Sequence, residues 1–423
     1  MNESLFIEYV QKFFPKLTKL IELINGKRKE LTYLHKTMLR KEYSADQKWQ
    51  SASLKTNFVA ADMVAMDSPL PIKKRDSVGK ASGVLPKIGM KKILRETDIN
   101  TINIMKAQGA EFTQIAQKLS ADAVACSTGI DEKNEANFLS ALSNGYVLVE
   151  DSENVGTGLR VDFGYLASNC FGVETAGEIS SDDIKRVIAK ADEDGNSIQV
   201  IAIALSTYNK LRQTRWAKEL VANYKGQAFT DDTNLPVPTA TIFDDAFADD
   251  NNGISFLKVD RSVIAEKNGS RNAYKPWNAN KLIFLTTEEV GALVWGTLAE
   301  KTNPVEGVVY TTVDDYKLIS KYSKTDPLQE FTTGQALVLP VIENVDQIYS
   351  LDLSEAEEIS STEDESDDNI TIYGKSLVKS SVISALNAIG VTTNVNISDA
   401  NLIKKVNQLS DEDEAKLKAK LSI

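Results

Sequence analysis

The 423-residue chain carries one histidine, His35, and only two cysteines, Cys126 and Cys170. A single imidazole rules out multi-histidine zinc sites and leaves little room for Ser-His or Cys-His triads. His35 sits in a basic N-terminal stretch and is expected at the surface. Two cysteines in a chain of this length read as buried thiols of a reducing compartment, so packing has to supply the stability. No apolar run approaches the roughly 20 residues of a membrane span. The opening MNESLFIEYVQKFF lacks the basic start and apolar block of a secretory signal, which points to the cytosol.

Enzymatic signatures are also missing. There is no Gly-Lys-Ser or Gly-Lys-Thr phosphate loop and no Gly-x-Ser-x-Gly elbow. GTGLRV at 156–161 begins like a dinucleotide fingerprint, but Val161 replaces the third glycine and a strand is expected where a helix is needed. Two acidic stretches, 190–195 and 248–253, resemble the front of a calcium loop. Lys190 and Ala248 hold the first ligand position, and Ile201 and Val259 hold the twelfth, so both read as turns. Asp244, Asp245, Asp249 and Asp250 leave open a cation site or paired carboxylates in an α/β hydrolase or transferase. No cofactor and no metal are expected.

What is present is an ordinary globular composition, 42% hydrophobic and 26% charged, with a net charge of -12. That balance argues against a general nucleic-acid binder. Nine acids and no base fall between Asp352 and Asp368, so the body is close to neutral and the run reads as a self-repelling linker.

Residues 1–53 read as a helical, basic arm. Leu17, Leu20, Ile21 and Ile24 lie on one face, Asn25-Gly26 is a stop, and a second helix is expected over Lys29–Tyr43. Its cations face solvent or, as the second reading, nucleic acid. A polar Pro- and Gly-rich loop, DSPLPIKKRDSVGKASGVLP from Asp67, needs a neighbour to lie on.

The three- and four-step spacing of Ile102, Met105, Gly109, Phe112, Ala116, Leu119, Ala123 and Cys126 predicts a long helix over 98–126 with a bend at Gly109. Asp131 is expected to cap a shorter helix ending at Asn144-Gly145, followed by a hairpin of 146–150 and 159–163. A compact α/β unit follows over about 178–299. Strand patterns at 308–312, 315–322, 336–340 and 348–353 are expected to close the earlier sheet, making that domain discontinuous. Residues 369–423 read as a helical module, with helices at 375–389, 399–409 and 411–421 and Ser398 and Ser410 as caps.

Three blocks in this order carry a resemblance: DSPLPIKKRDSVGKASGVLPKIGMKKILRETD from Asp67, GIDEKNEANFLSALSNGYVLVED with GLRVDFG over Gly129–Gly164, and ISKYSKTDPLQEFTTGQALVLPVIENVDQIY from Ile319. Their arrangement resembles the major capsid proteins of tailed bacteriophages, the lambda-type coat protein family with the Hong Kong 97 fold. The resemblance implies an α+β Hong Kong 97-like capsid fold. Its parts would be an extended loop at 54–95, a spine-helix peripheral domain at 96–177 and 300–352, an inserted α/β axial domain at 178–299, an acidic linker at 353–368 and the C-terminal module.

It further implies a non-enzymatic subunit that self-assembles into pentamers and hexamers of an icosahedral head. Such a head encloses double-stranded DNA without sequence-specific binding, and a portal protein and scaffold or decoration proteins are its partners. No membrane is involved, and the place would be the virion, with the host cytoplasm during assembly. On this reading Pro69, Pro71, Arg75, Lys80, Pro86 and Lys87 touch the adjacent subunit, and Gly79, Gly83 and Gly89 act as loop hinges. A cellular nanocompartment shell of the same fold is the close variant. The module beyond Ile370 falls outside the resemblance and reads as decoration or partner recruitment.

Overall fold

The computed structural model describes residues 2–19, 21, 32–53, 79–149, 159–230, 234–267, 269–356, 369–373, 375–389, 391 and 399–421. It is an α+β protein in two compact units, Met1–Glu357 and Glu358–Ile423.

The larger unit is organised by the helix Phe112–Asn144, which is 33 residues and about 50 Å long at 1.5 Å per residue. It contains no proline. A shorter helix, Glu96–Ala107, precedes it, and Gly109 at φ +74 separates the two, so the expected bend is a break. The expected cap at Asp131 is overturned: Asp131 is buried in mid-helix, where further i, i+3 and i, i+4 apolar spacing carries the helix on. The stop is where Asn144-Gly145 places it. Gly145 adopts φ 78 and its N–H donates to Ala141 O at 2.8 Å.

This helix lies on a six-stranded sheet whose centre is the strand Gln329–Ile342. That strand pairs antiparallel with Lys317–Lys324, with Lys87–Leu94 over 330–337 and with Gly291–Gly296 over 337–342. Val309–Val313 and Leu39–Tyr43 complete the order at either end. Gly334 lets helix and sheet close up, since a Cβ there would stand 2.8 Å from Cys126 Cβ. The hairpin of Tyr146–Val149 and Leu159–Asp162 forms a separate two-stranded sheet.

The N-terminal reading is corrected. Upstream, Ile7–Phe13 is helical as expected, but among the described residues of the expected Lys29–Tyr43 helix His35–Met38 alone is helical and Leu39–Tyr43 runs parallel to Gly291–Trp295. Flanking bonds from Val290 N to Met38 O and from Ser44 N to Trp295 O lock it in place. Leu-Arg-Lys-Glu is good helix sequence, but an open sheet edge outbids weak local propensity. Upstream, Phe6, Val10, Phe13, Phe14 and Leu17 are buried against Ile102, Ile115, Leu119 and Cys126, so these residues belong to the core. Ile24, Asn25 and Gly26 lie outside the described residues. His35 is also corrected: it is fully buried, with Nδ1 2.7 Å from Glu135 Oε2 on the long helix.

A second, five-stranded mixed sheet runs Cys170–Val173, Ile348–Ala356, Lys281–Leu285, Val200–Ala204 and Ser255–Val259. Helices Ser181–Glu193, Leu205–Leu211, Arg215–Tyr224 and Ala240–Asp250 supply most of the remaining core around it. The strand from Ile348, expected with the first sheet, pairs here with Lys281–Leu285, while Gly291–Gly296 crosses into the first sheet. Local alternation predicts a strand but carries no information about which sheet receives it.

The smaller unit has a hairpin, Asn369–Ile372 with Lys375–Val378, where a helix was expected from Lys375. Helices Lys379–Ala388, Asp399–Asn407 and Asp411–Leu421 follow. Val382, Leu386, Leu402, Val406 and Leu417 form its core. Ser410 Oγ accepts Asp413 N–H, a cap on the last helix; Ser398 lies outside the described residues.

Candidate assembly surface

Strands Lys48–Ser53 and Gly79–Val84 pair antiparallel with each other, from Lys48↔Val84 to Ser53↔Gly79. Strand alternation sends Trp49 and Ser51 to one face and Lys48 and Gln50 to the other. Trp49 is buried, with its ring 5.5 Å from that of Phe163. Ser51 Oγ donates to Ile342 O at 2.7 Å. Leu85, also buried, donates its N–H to Gln47 O at 2.9 Å. These contacts root the ribbon in the body, while Val84 at its base is 65% exposed. Gly83 lies opposite Trp49, and a Cβ there would meet Trp49 Nε1 at 2.8 Å. The glycine gives the indole its seat.

Below the root, Lys87–Leu94 joins the first sheet. Lys87, Gly89, Lys91 and Ile93 alternate outward as exposed residues, and Ile88, Met90, Lys92 and Leu94 are half-buried. A Cβ on Gly89 would stand 3.1 Å from Gly334 O. An open groove of about 620 Å³ runs here, lined by Lys87, Gly89, Lys91, Glu300, Tyr322 and Gln335. Gln335 and the Tyr310 hydroxyl both donate to Glu300. The ammonium groups of Lys91 and Lys324 lie 5.4 and 5.6 Å from the Phe331 ring centre.

Of the expected contact residues, Pro69, Pro71 and Arg75 lie outside the described residues. The Lys80 backbone pairs with Ala52 in the ribbon. Pro86 and Lys87 sit at the root, where Pro86 O accepts Val338 N–H at 3.3 Å. Gly79, Gly83 and Gly89 all lie within paired strands. Gly83 and Gly89 lack the positive φ that glycine adopts most readily; both admit a close neighbour. Sequence reasoning missed Trp49, Ser51 and Leu85. The alternation in KWQSAS was the available signal, hidden by reading residues 1–53 as helical.

The acidic alternative finds little machinery. Asp244 is held by the Tyr208 hydroxyl and by Lys258, while Asp245, Asp249 and Asp250 are at the surface. Among the described residues no trio of His, Cys, Asp or Glu side chains is arranged to hold a metal. A cleft of about 740 Å³ in the same lobe is lined by Ile179, Lys210, Arg215, Trp216 and Glu219. Its buried carboxylate, Asp183, accepts N–H bonds from Glu174 and Ser180 at the start of Ser181–Glu193, a capping role.

No family model matches the chain, and no curated protein matches it by sequence. Solved structures are similar to it in three dimensions. A prophage capsid protein from E. coli CFT073 is 12% identical, with a TM-score of 0.48 over 79% of this chain and 98% of that one. The capsid protein of cyanophage A-1(L) is 12% identical, with a TM-score of 0.45 over 77% of this chain and 93% of that one. A phage-related protein from Bordetella bronchiseptica RB50 is 10% identical, with a TM-score of 0.39 over 81% of this chain and 98% of that one.

Proposed function

We propose that this chain is a structural subunit of a closed protein shell, the major capsid protein of a tailed double-stranded DNA bacteriophage. Copies would assemble into the pentamers and hexamers of an icosahedral head. The observation that carries the reading is the ribbon of Lys48–Ser53 and Gly79–Val84, which among the described residues pairs with no third strand and is anchored near one end by Trp49, Ser51 and Leu85. A two-stranded ribbon is marginally stable in water, and a neighbouring copy offers it a surface. Together with the three resembling blocks, it supports the extended loop of a Hong Kong 97-like subunit.

Head-to-tail contacts of this kind close into rings when the rotation permits. The five-stranded lobe would then fill the capsomer centre, and the six-stranded sheet with its long helix would form the outer wall. Lys80 toward the far end of the ribbon, with Pro86 and Lys87 at its root, belongs to the proposed inter-subunit contact.

Size-exclusion chromatography followed by electron microscopy of the purified full chain tests this. Closed particles of megadalton mass are the expected result. A compact monomer at high concentration refutes the shell, and particles holding a cargo protein instead of nuclease-protected DNA replace the phage head with a nanocompartment.

A further inference from the structure

Residues 7–19 are helical and pack on the N-terminal half of the long helix. Tyr9, Val10, Phe13, Phe14 and Leu17 turn into the core. That leaves Lys12, Lys16 and Lys19, spaced four and three residues apart, on one exposed flank. Lys106, exposed at the end of Glu96–Ala107, reaches the same place from another element. An aromatic pair joins them. Tyr9 and Phe112 stack with ring centres 4.6 Å apart and planes 11° from parallel. Lys12 Nζ lies 4.6 Å from the Phe112 ring centre, and Lys106 Nζ lies 5.9 Å from that of Tyr9.

The protein does not neutralise this surface. Glu8 and Glu111 are the described acids nearest in sequence, yet among the described residues no carboxylate pairs with Lys12, Lys16, Lys19 or Lys106. Arg40, Lys190, Lys258, Arg271 and Lys275 elsewhere each have a carboxylate partner. Four ammonium groups gathered on a chain of net charge -12 repel one another, and an anion laid across them relieves that repulsion.

The chemistry of the cations narrows the anion. Lysine is a compact point charge that positions a phosphate and reads no base. From Lys12 to Lys19 the helix rises about 10 Å, which matches about three nucleotides at roughly 3.4 Å per strand. Both rings are engaged by each other and by an ammonium group, so the surface offers charge ahead of a stacking platform. That favours a phosphate backbone over splayed bases.

We propose that the surface formed by Lys12, Lys16, Lys19 and Lys106 around the Tyr9–Phe112 stack binds the phosphate backbone of duplex DNA. The assignment rests on the shell reading for the source of that DNA. It also orients the subunit, with the N-terminal helix on the side of the wall that touches the enclosed DNA.

Fluorescence anisotropy of the purified full chain with short labelled duplexes of two unrelated sequences, between about 50 and 200 mM salt, tests the surface. The two duplexes should bind equally, with affinity falling as salt rises. Combining Lys12→Gln, Lys16→Gln, Lys19→Gln and Lys106→Gln should flatten the plot of log affinity against log salt by about 3–4 in slope. A control with Lys185→Gln, Lys210→Gln, Lys225→Gln and Lys301→Gln removes as much exposed charge and should leave the slope unchanged. If the first combination unfolds by circular dichroism, Lys16→Gln and Lys19→Gln, remote from both rings, should each flatten the slope by about one. Equal losses in the two sets, or no salt-dependent binding by the unaltered chain, overturn the proposal. Binding by a chain that electron microscopy shows to form no shells refutes the shell reading and leaves this surface standing.

Discussion

At the scale of single residues, burial decides chemistry. Cys126 is fully buried under the sheet, and burial, with Asp122 adding to it, pushes its thiol up to about 12; Cys170 is exposed. A thiol reagent should therefore label one cysteine in the native protein, Cys170, and both after denaturation, as counted by mass spectrometry. Lys321 and Glu330 form a second case. Both are fully buried, and Glu330 also accepts from Ser4 Oγ and from Leu5 N at 3.0 Å. Burial lowers the lysine and raises the carboxyl.

The raised carboxyl favours the folded state fully below its ordinary range, and that contribution is lost as pH rises through the folded value. The lowered lysine contributes only above its own ordinary value. At neutral pH both members are therefore penalised. Lys321→Met or Glu330→Gln alone should cost about 3–5 kcal/mol, whereas the double replacement should be neutral or stabilising. Chemical denaturation of the three variants measures the coupling; additive losses would contradict it.

At the scale of elements, the ribbon root makes the sharpest demand. Gly83 faces the indole of Trp49, so Gly83→Val should unseat the ring, red-shift its fluorescence and impair particle formation. The body itself should stay folded by circular dichroism, because the clash is confined to the root. Unchanged assembly would show that Trp49 does not set the ribbon. The long helix carries a related lesson. Its seam from Phe112 to Cys126 and its stop at Gly145 were legible as periodicity and as a residue able to take φ 78, whereas Ile102 and Met105 belong to the preceding helix Glu96–Ala107. Its continuity through Asp131 was not, because a buried aspartate paired with Lys317 looks, in one dimension, like a cap.

At the scale of the whole molecule, the two compact units divide at Glu357, after the strand Ile348–Ala356 has ended. Deleting Glu358–Ile423 spares that strand, so the remaining body should still unfold in a cooperative transition, as calorimetry checks. Particles should still form if the small unit is decoration. A cut at Glu355 enters the strand, and the comparison of the two truncations by calorimetry separates a linker effect from a sheet effect.

Local patterns alone settled the stop at Asn144-Gly145, the hairpin of 146–149 with 159–162, the last two helices, the neutrality of the body, the acidic run before the small unit and the order of blocks that carries the resemblance. Those properties depend on neighbours within a few residues. Only the tertiary structure decided that Leu39–Tyr43 is a strand beside Gly291–Trp295, that Ile348–Ala356 joins the second sheet, and that His35 lies buried against Glu135. Each depends on a partner tens to hundreds of residues away. Backbone hydrogen bonding and burial of a charge pair are satisfied there by whichever distant surface fits, and periodicity is blind to that choice.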